Sequence, residues 1–135
     1  MDIASAFTSL NWFAVIAAAL SSFLIGGLWY TIFQRAWLQA AGLSPDTIRQ
    51  RNMPLVFGIS LVLSFIIALN LALFIGKEGL SFGIIAGFMA GFGWVTLAIG
   101  IIAAFEKRPL KYVLINGGYM LIAFTVMGGI LGLWK

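Results

Sequence analysis

Long apolar stretches alternate with short polar segments along this chain, and the apolar stretches have the length of membrane spans. An α-helix needs ~20 residues to cross a hydrocarbon layer ~30 Å thick. Four stretches meet this length and contain no Asp, Glu, Lys or Arg outside their terminal residues: 11–33, 54–76, 80–105 and 109–134. The pattern therefore predicts an all-α membrane protein, with the whole chain 1–135 forming a single domain, a bundle of four transmembrane helices.

Helix-start signals mark the ends of these stretches. Pro54 and Pro109 stand where the second and fourth spans begin, a position where the missing N–H of proline costs nothing. Ser44, Pro45 and Asp46 have the order of an N-cap, a first-turn proline and a first-turn acid, which predicts a short helix ending near Arg51. We therefore expect an interfacial helix in the connector between spans one and two.

The basic residues divide unequally between the two sides of the predicted bundle. One side carries six of them, in the first and third loops, namely Arg35, Arg49, Arg51, Lys107, Arg108 and Lys111, and the opposite side carries Lys77 and Lys135. Lys and Arg concentrate in cytoplasmic loops. The imbalance predicts that loops one and three are cytoplasmic and that both termini lie outside.

Composition excludes several functional classes. Hydrophobic residues make up 62% of the 135 residues and charged residues 9%, against ~25% charged in a soluble domain. There is no Cys and no His, and the four carboxylates are scattered over both sides, so we predict no metal site, no cofactor and no thiol or His-based catalysis. No span carries the ionisable group of a proton pump or voltage sensor, and the few basic residues are not a nucleic-acid surface.

Small residues recur at four-residue spacing in every span. In the third span the run is Gly79, Gly83, Gly87 and Gly91, with a second run of Gly93, Thr96, Gly100 and Ala104, and the fourth span ends with Gly128 and Gly132. Residues four apart share a helix face, and small faces let membrane helices approach closely. We predict that Gly83, Gly87, Gly91, Gly128 and Gly132 serve helix packing or self-association. The second small run of the third span favours a homo-oligomer.

Neutral polar residues supply the candidate site. Asn116 and Tyr119 are three residues apart on one face of the fourth span, and Tyr30 and Glu106 end near the same membrane level. Polar side chains inside a membrane are the default functional candidates. We therefore predict a cytoplasmic-side polar site formed by Tyr30, Glu106, Asn116 and Tyr119. The alternatives are that Asn116 and Tyr119 only join helices by hydrogen bonds and that Glu106 only pairs with a nearby cation.

Motifs at both ends of the chain resemble a known family. They are Asn11-Trp12-x-Ala14, Gly27-x-Trp29-Tyr30 and Trp37 around the first span, and Arg108-Pro109-Leu110, Asn116-x-Gly118-Tyr119 and Gly128-x-x-x-Gly132 around the fourth. Together they are similar to an uncharacterised bacterial membrane family, domain of unknown function 1761. The resemblance covers nearly the whole chain and implies a four-helix protein of the bacterial cytoplasmic (inner) membrane. It implies no activity and no catalytic residue.

Two function classes follow from these observations. The first is a non-enzymatic membrane component that binds membrane lipid or a protein partner through its glycine faces. The second is an oligomeric transporter or channel for a neutral or weakly polar small solute. A lipid-modifying enzyme using Glu106 is the least favoured, because catalytic groups are missing. The sequence does not identify a small-molecule ligand.

Overall fold

The computed structural model describes residues 2–135, and helices account for most of that range. The helices are α1 Ile3–Thr8, α2 Trp12–Ile32, α3 Gln34–Ala41, α4 Pro45–Arg49, α5 Met53–Ile75, α6 Leu80–Ala90, α7 Leu97–Phe105 and α8 Leu110–Leu133. A π-helical segment, Gly91–Thr96, joins α6 to α7 into one continuous span, Leu80–Phe105. Together with α2, α5 and α8 this gives four helices long and apolar enough to cross a membrane. The predicted all-α four-span fold is confirmed, and the chain is a multi-pass membrane protein.

Side-chain caps fix where several helices begin. The Asn11 side chain accepts hydrogen bonds from the N–H groups of Phe13 and Ala14 at the start of α2. Asn52 does the same for Leu55 at the start of α5, whose first turn contains the predicted proline. These caps satisfy N–H groups that have no partner within the helix.

The connector between the first two spans contains two helices where we predicted one. The predicted helix is α4, which has Ser44 as its N-cap and Pro45 at its first position. The unpredicted α3 follows α2 after a single non-helical residue, Phe33, and ends at Gly42 in the left-handed conformation. No Gly or Pro separates α2 from α3, so no local signal marks a helix boundary there. The short α1, capped by Asp2, is also outside the predicted elements.

The fourth span, α8, holds the bundle together. It packs against α2 and α5 on one side and against α6 and the π-helical segment on the other, while α5 and α6 barely touch. We call the end of the bundle that carries α3, α4 and the loop 106–109 the connector end. The opposite end, with α1, Lys77 and Lys135, is the terminal end.

Glycines bring α6 and α8 to backbone contact. A Cβ atom added at Gly83 would overlap the carbonyl oxygen of Gly128, and one added at Gly128 would overlap that of Gly83. A Cβ at Gly132 would lie 2.6 Å from the carbonyl oxygen of Gly79, and Gly87 meets the backbone of α8 at Phe124. These glycines therefore pack helices within one chain. No free surface remains on this face for the contact with a second copy that the sequence also suggested.

The π-helical segment explains why the third span showed two small-residue runs. Its wider turn adds a residue, so that Thr96 follows Gly91 after five positions instead of four. Thr96 then contacts Gly117 of α8, and a Cβ at Gly100 would lie 3.9 Å from the Val113 side chain. Gly83, Gly87 and Gly91, which precede Thr96 in the third span, also face α8. Thr96 and Gly100 of the second run thus face α8 together with the first run, whereas Ala104 is exposed and a Cβ at Gly93 would meet no atom within 4 Å.

Thr96 stabilises this unusual turn, which leads to a stability prediction. Its hydroxyl donates to the Gly91 carbonyl at 2.7 Å and lies 3.1 Å from the Gly117 carbonyl. Thr96→Val keeps the shape and removes the hydroxyl, so we expect unfolding in a detergent titration to be easier by ~1 kcal/mol. Thr125→Val is the control, because Thr125 bonds only within its own helix, to Leu121. Equal effects of the two substitutions would show that the bridge to α8 contributes nothing.

Candidate functional site

The first two spans separate toward the connector end and leave a cleft. The buried residues of α5 all lie in its second half, from Ser64 to Ile75, where it packs against α2 and α8. Its first half is not held in this way, and a cavity of about 450 Å³ opens there. This cavity, called the cleft below, has these lining residues: Phe23, Gly26, Gly27, Tyr30, Thr31, Gln34, Trp37, Arg51, Met53, Val56, Phe57, Ser60, Ser64, Asn116 and Tyr119.

Two tyrosines join the walls of the cleft by hydrogen bonds between α2 and α8. The Tyr30 hydroxyl donates to Oδ1 of Asn116 at 2.5 Å. The Tyr119 hydroxyl donates to the backbone oxygen of Ser22 at 3.1 Å. The two tyrosine rings meet edge to face with centroids 5.5 Å apart. These contacts fix the positions of the polar side chains, which is what a binding site requires.

Three polar groups that line the cleft within the spans have no hydrogen-bond partner among residues 2–135: the hydroxyls of Ser60 and Ser64 and the side-chain nitrogen of Asn116. The Gln34 amide and the terminal nitrogens of Arg51, which also line the cleft, have none either. No side-chain polar atom in the described chain is both fully buried and unpaired, so these groups reach the space of the cleft that they line.

Polar side chains elsewhere in the spans behave differently. Ser21, Asn70 and Thr125 each donate to a carbonyl three or four residues earlier on their own helix. Such bonds are the ordinary way to satisfy a polar side chain where water is absent. The cleft therefore contains several polar groups without hydrogen-bond partners, within membrane spans where an unpaired polar group is unfavourable in free energy.

The mouth of the cleft carries a single charge. Arg51 precedes the first turn of α5 and is exposed, and it is the one charged residue among those that line the cleft. Its Nε donates to the Ile48 carbonyl at 3.2 Å, which anchors the side chain near the end of α4. Below it, Phe23 and Phe57 meet edge to face with centroids 5.5 Å apart. The cleft is therefore amphiphilic, with a cation at its mouth and aromatic and polar groups inside.

The structure brings together three of the four predicted site residues. Tyr30, Asn116 and Tyr119 line the cleft, but Glu106 does not. Glu106 follows α7 and lies 3.6 Å from Arg108. A Cβ at Gly42 would be only 2.7 Å from the Arg108 guanidinium, so this arginine packs against the end of α3. Glu106 thus lies outside the cleft, beside an arginine that contacts the end of α3.

Ser60, Ser64 and Arg51 line the cleft but were not among the predicted site residues. Ser60 and Ser64 stood in a run of small residues, and Arg51 was counted only toward orientation. A signal did exist for the serines, since they are the hydroxyl members of a run otherwise made of Ala and Gly. Only the structure shows that both serines line a cavity.

A second cavity, of about 580 Å³, lies at the terminal end between α1, α2, α5 and α8. It is larger, but its polar side chains are largely engaged. Asp2 caps α1, Asn11 caps α2, and Nζ of Lys135 donates to the Lys77 carbonyl at 3.3 Å. Since its polar groups already serve the fold, the cleft is the better candidate for a binding site.

The groups that line the cleft can form hydrogen bonds to a ligand. It contains neutral amide, hydroxyl and phenol groups and one guanidinium. No cluster of three or more potential metal ligands occurs in the described part of the chain. Fold and site together define a four-span membrane protein with an amphiphilic cleft between its first two spans.

Comparison with known proteins identifies the family of the chain. The family described as Protein of unknown function (DUF1761) matches residues 13–132, which is most of the chain, and the chain belongs to that family. No curated protein and no solved structure matches it. The resemblance found in the sequence motifs is thereby confirmed.

Proposed function

We propose that this protein is a non-enzymatic membrane component that binds one lipid-like, amphiphilic molecule in the cleft. The observation that carries the proposal is the set of unpaired groups on Ser60, Ser64 and Asn116, which line a cavity within the membrane span. A ligand with polar atoms at these depths would satisfy them, and its apolar part would lie against Phe23 and Phe57. Largely apolar pockets with a few converging polar groups are typical of small-molecule sites.

The length of the cleft supports a ligand from one leaflet. Met53 and Ser64 both line it, and eleven residues of α-helix rise ~17 Å. This is about half of the ~30 Å hydrocarbon layer. The cleft therefore reaches from one membrane surface to near the midplane, which is the depth of one lipid molecule.

The membrane side follows from the charge distribution. Arg35, Arg49, Arg51, Lys107, Arg108 and Lys111 belong to the loops and helix starts of the connector end. By the positive-inside rule this end faces the cytoplasm. We therefore place the cleft in the cytoplasmic leaflet of a bacterial inner membrane, with both termini outside.

The proposal predicts that the serine hydroxyls contribute to lipid retention. Two lost hydrogen bonds at ~1 kcal/mol each should weaken binding about 30-fold in Ser60→Ala/Ser64→Ala. The measurement is native mass spectrometry of protein released from nanodiscs, with lipid retention followed as collision energy rises. Ser21→Ala is the matched control, because Ser21 bonds to the Ala18 carbonyl at 2.7 Å and does not line the cleft.

Wild-type protein should retain one lipid molecule where the double variant retains none at the same collision energy. Equal retention by wild type, double variant and control would contradict the proposed function. A folded double variant, shown by unchanged circular dichroism and thermal unfolding, is required for the comparison.

A second candidate function is transport of a neutral or weakly polar solute. It is favoured by one observation: the two cavities lie at opposite ends of the same three helices, α2, α5 and α8. Between the two cavities these helices pack through five residues with no exposed surface: Val15, Ala18, Ala68, Ala123 and Met127. Proteoliposomes tested for uptake of glycerol and of urea distinguish the two functions, since the lipid-binding protein should show no flux above empty vesicles.

A further inference from the structure

The positive charge at the mouth of the cleft indicates which charge its ligand carries. This inference rests on the proposed function. Arg51 is the one charged side chain among the residues that line the cleft. The guanidinium carries its positive charge at every physiological pH. A cleft with a fixed positive charge at its mouth favours a ligand that carries a negative charge.

No acidic side chain within residues 2–135 neutralises Arg51. Asp46 pairs with Arg49, and Glu106 lies beside Arg108. Asp2 caps α1, and Glu78 follows α5; both belong to the terminal end. The side-chain carboxylates of the described chain are thus either paired or on the far side of the bundle. The positive charge of Arg51 therefore remains available to bind a ligand.

The position of Arg51 suits the headgroup layer. It directly precedes Asn52, the N-cap of α5, where the second span begins. Its Nε is held by the Ile48 carbonyl, while its terminal nitrogens make no hydrogen bond within the described residues. Guanidinium groups present a planar pair of donors that matches a phosphate or carboxylate. Basic pockets between membrane helices on the cytoplasmic side are typical sites for anionic headgroups.

We propose that the ligand of the cleft is an anionic amphiphile whose phosphate or carboxylate binds Arg51. Its apolar chain lies between α2 and α5. A diacyl phospholipid with an anionic headgroup and a free fatty acid both have this chemistry. The two differ in size and in the number of chains, so binding experiments separate them.

The test is competition for the cleft in nanodiscs, read by native mass spectrometry. Phosphatidylglycerol and phosphatidylcholine with identical chains are supplied in equal amounts, and oleate is added in a second arm. We expect wild-type protein to retain phosphatidylglycerol or oleate about tenfold over phosphatidylcholine, because the choline cation of phosphatidylcholine offsets the phosphate charge that would face Arg51. Whichever anionic probe is retained identifies the source.

The decisive variant is Arg51→Gln, which should lower this preference to near one by reducing retention of the anionic probes more than retention of phosphatidylcholine. Arg49→Gln is the matched control, since it removes an arginine two positions away that is paired with Asp46 and does not line the cleft. Its selectivity should equal that of wild type. The wild-type preference should also weaken as salt rises, because the guanidinium is exposed.

Two outcomes would overturn the anionic assignment while the proposed function stands. One is wild-type protein that retains phosphatidylcholine as well as the anionic probes, and the other is a preference that survives Arg51→Gln. Wild-type protein that retains no lipid of any kind would overturn both the assignment and the proposed function.

Discussion

Replacing Gly128 by leucine should prevent the protein from folding in a membrane or detergent. Even a single Cβ atom at this position would overlap the carbonyl oxygen of Gly83, which belongs to backbone and cannot rotate away. Overpacking a well-packed interior typically costs ~1–3 kcal/mol, and here the backbones of α6 and α8 must separate along their whole contact. Membrane helices associate mainly through such close packing, so we expect the largest loss of stability in the chain at this face.

The matched control is Gly58→Leu. Gly58 lies within α5, and a Cβ there would meet no atom within 4 Å. Its leucine should be accommodated by lipid and gain slightly from better helix propensity. The measurement is the yield of monodisperse protein and its midpoint in a denaturing-detergent titration. Similar behaviour of the two variants would refute the proposed contact between α6 and α8.

Filling the cleft should abolish ligand binding without unfolding the protein. Ser60 lies on the wall of the cleft, about two helical turns from the start of α5. A phenylalanine there would occupy the space in which the ligand is proposed to lie. We expect Ser60→Phe to reduce lipid retention at least 100-fold, more than the loss of hydroxyls alone, because it excludes the ligand physically.

Leu63→Phe provides the comparison for that experiment. Leu63 is three residues further along α5, is 54% exposed, and does not line the cleft. It adds an aromatic ring to the same helix on a lipid-facing surface, so retention should match wild type. If Ser60→Phe folds and still retains its lipid, the ligand does not occupy the cleft.

The sequence was sufficient for the spans because the membrane imposes a simple rule on length and polarity. Charge-free stretches of span length became α2, α5, α8 and the continuous span Leu80–Phe105. Local signals also worked where one side chain decides the result, as with the Ser44 cap of α4. Elements without such signals were missed, including α3, which follows α2 with no Gly or Pro between them.

The candidate site was only partly predictable for a geometric reason. Asn116 and Tyr119 stand out as polar residues in an apolar span, and spacing alone puts them on one face. Whether Ser64 packs against a neighbour or lines a cleft depends on the angle at which α5 crosses α2, which no local pattern encodes. The same holds for the phase of the third span, where the π-helical segment moves Thr96 onto the face of Gly91.

The most direct test of the proposed ligand cleft is photocrosslinking with a phospholipid that carries a diazirine in its acyl chain. Adducts are located by mass spectrometry of peptides from protein labelled in nanodiscs. We predict that adducts concentrate on residues 23–31 and 53–64, which contain the facing walls of the cleft, and that Ser60→Phe removes them. Adducts spread evenly over the spans, including the exposed surface of α6 and α7, with no change in Ser60→Phe, would contradict a lipid-binding cleft.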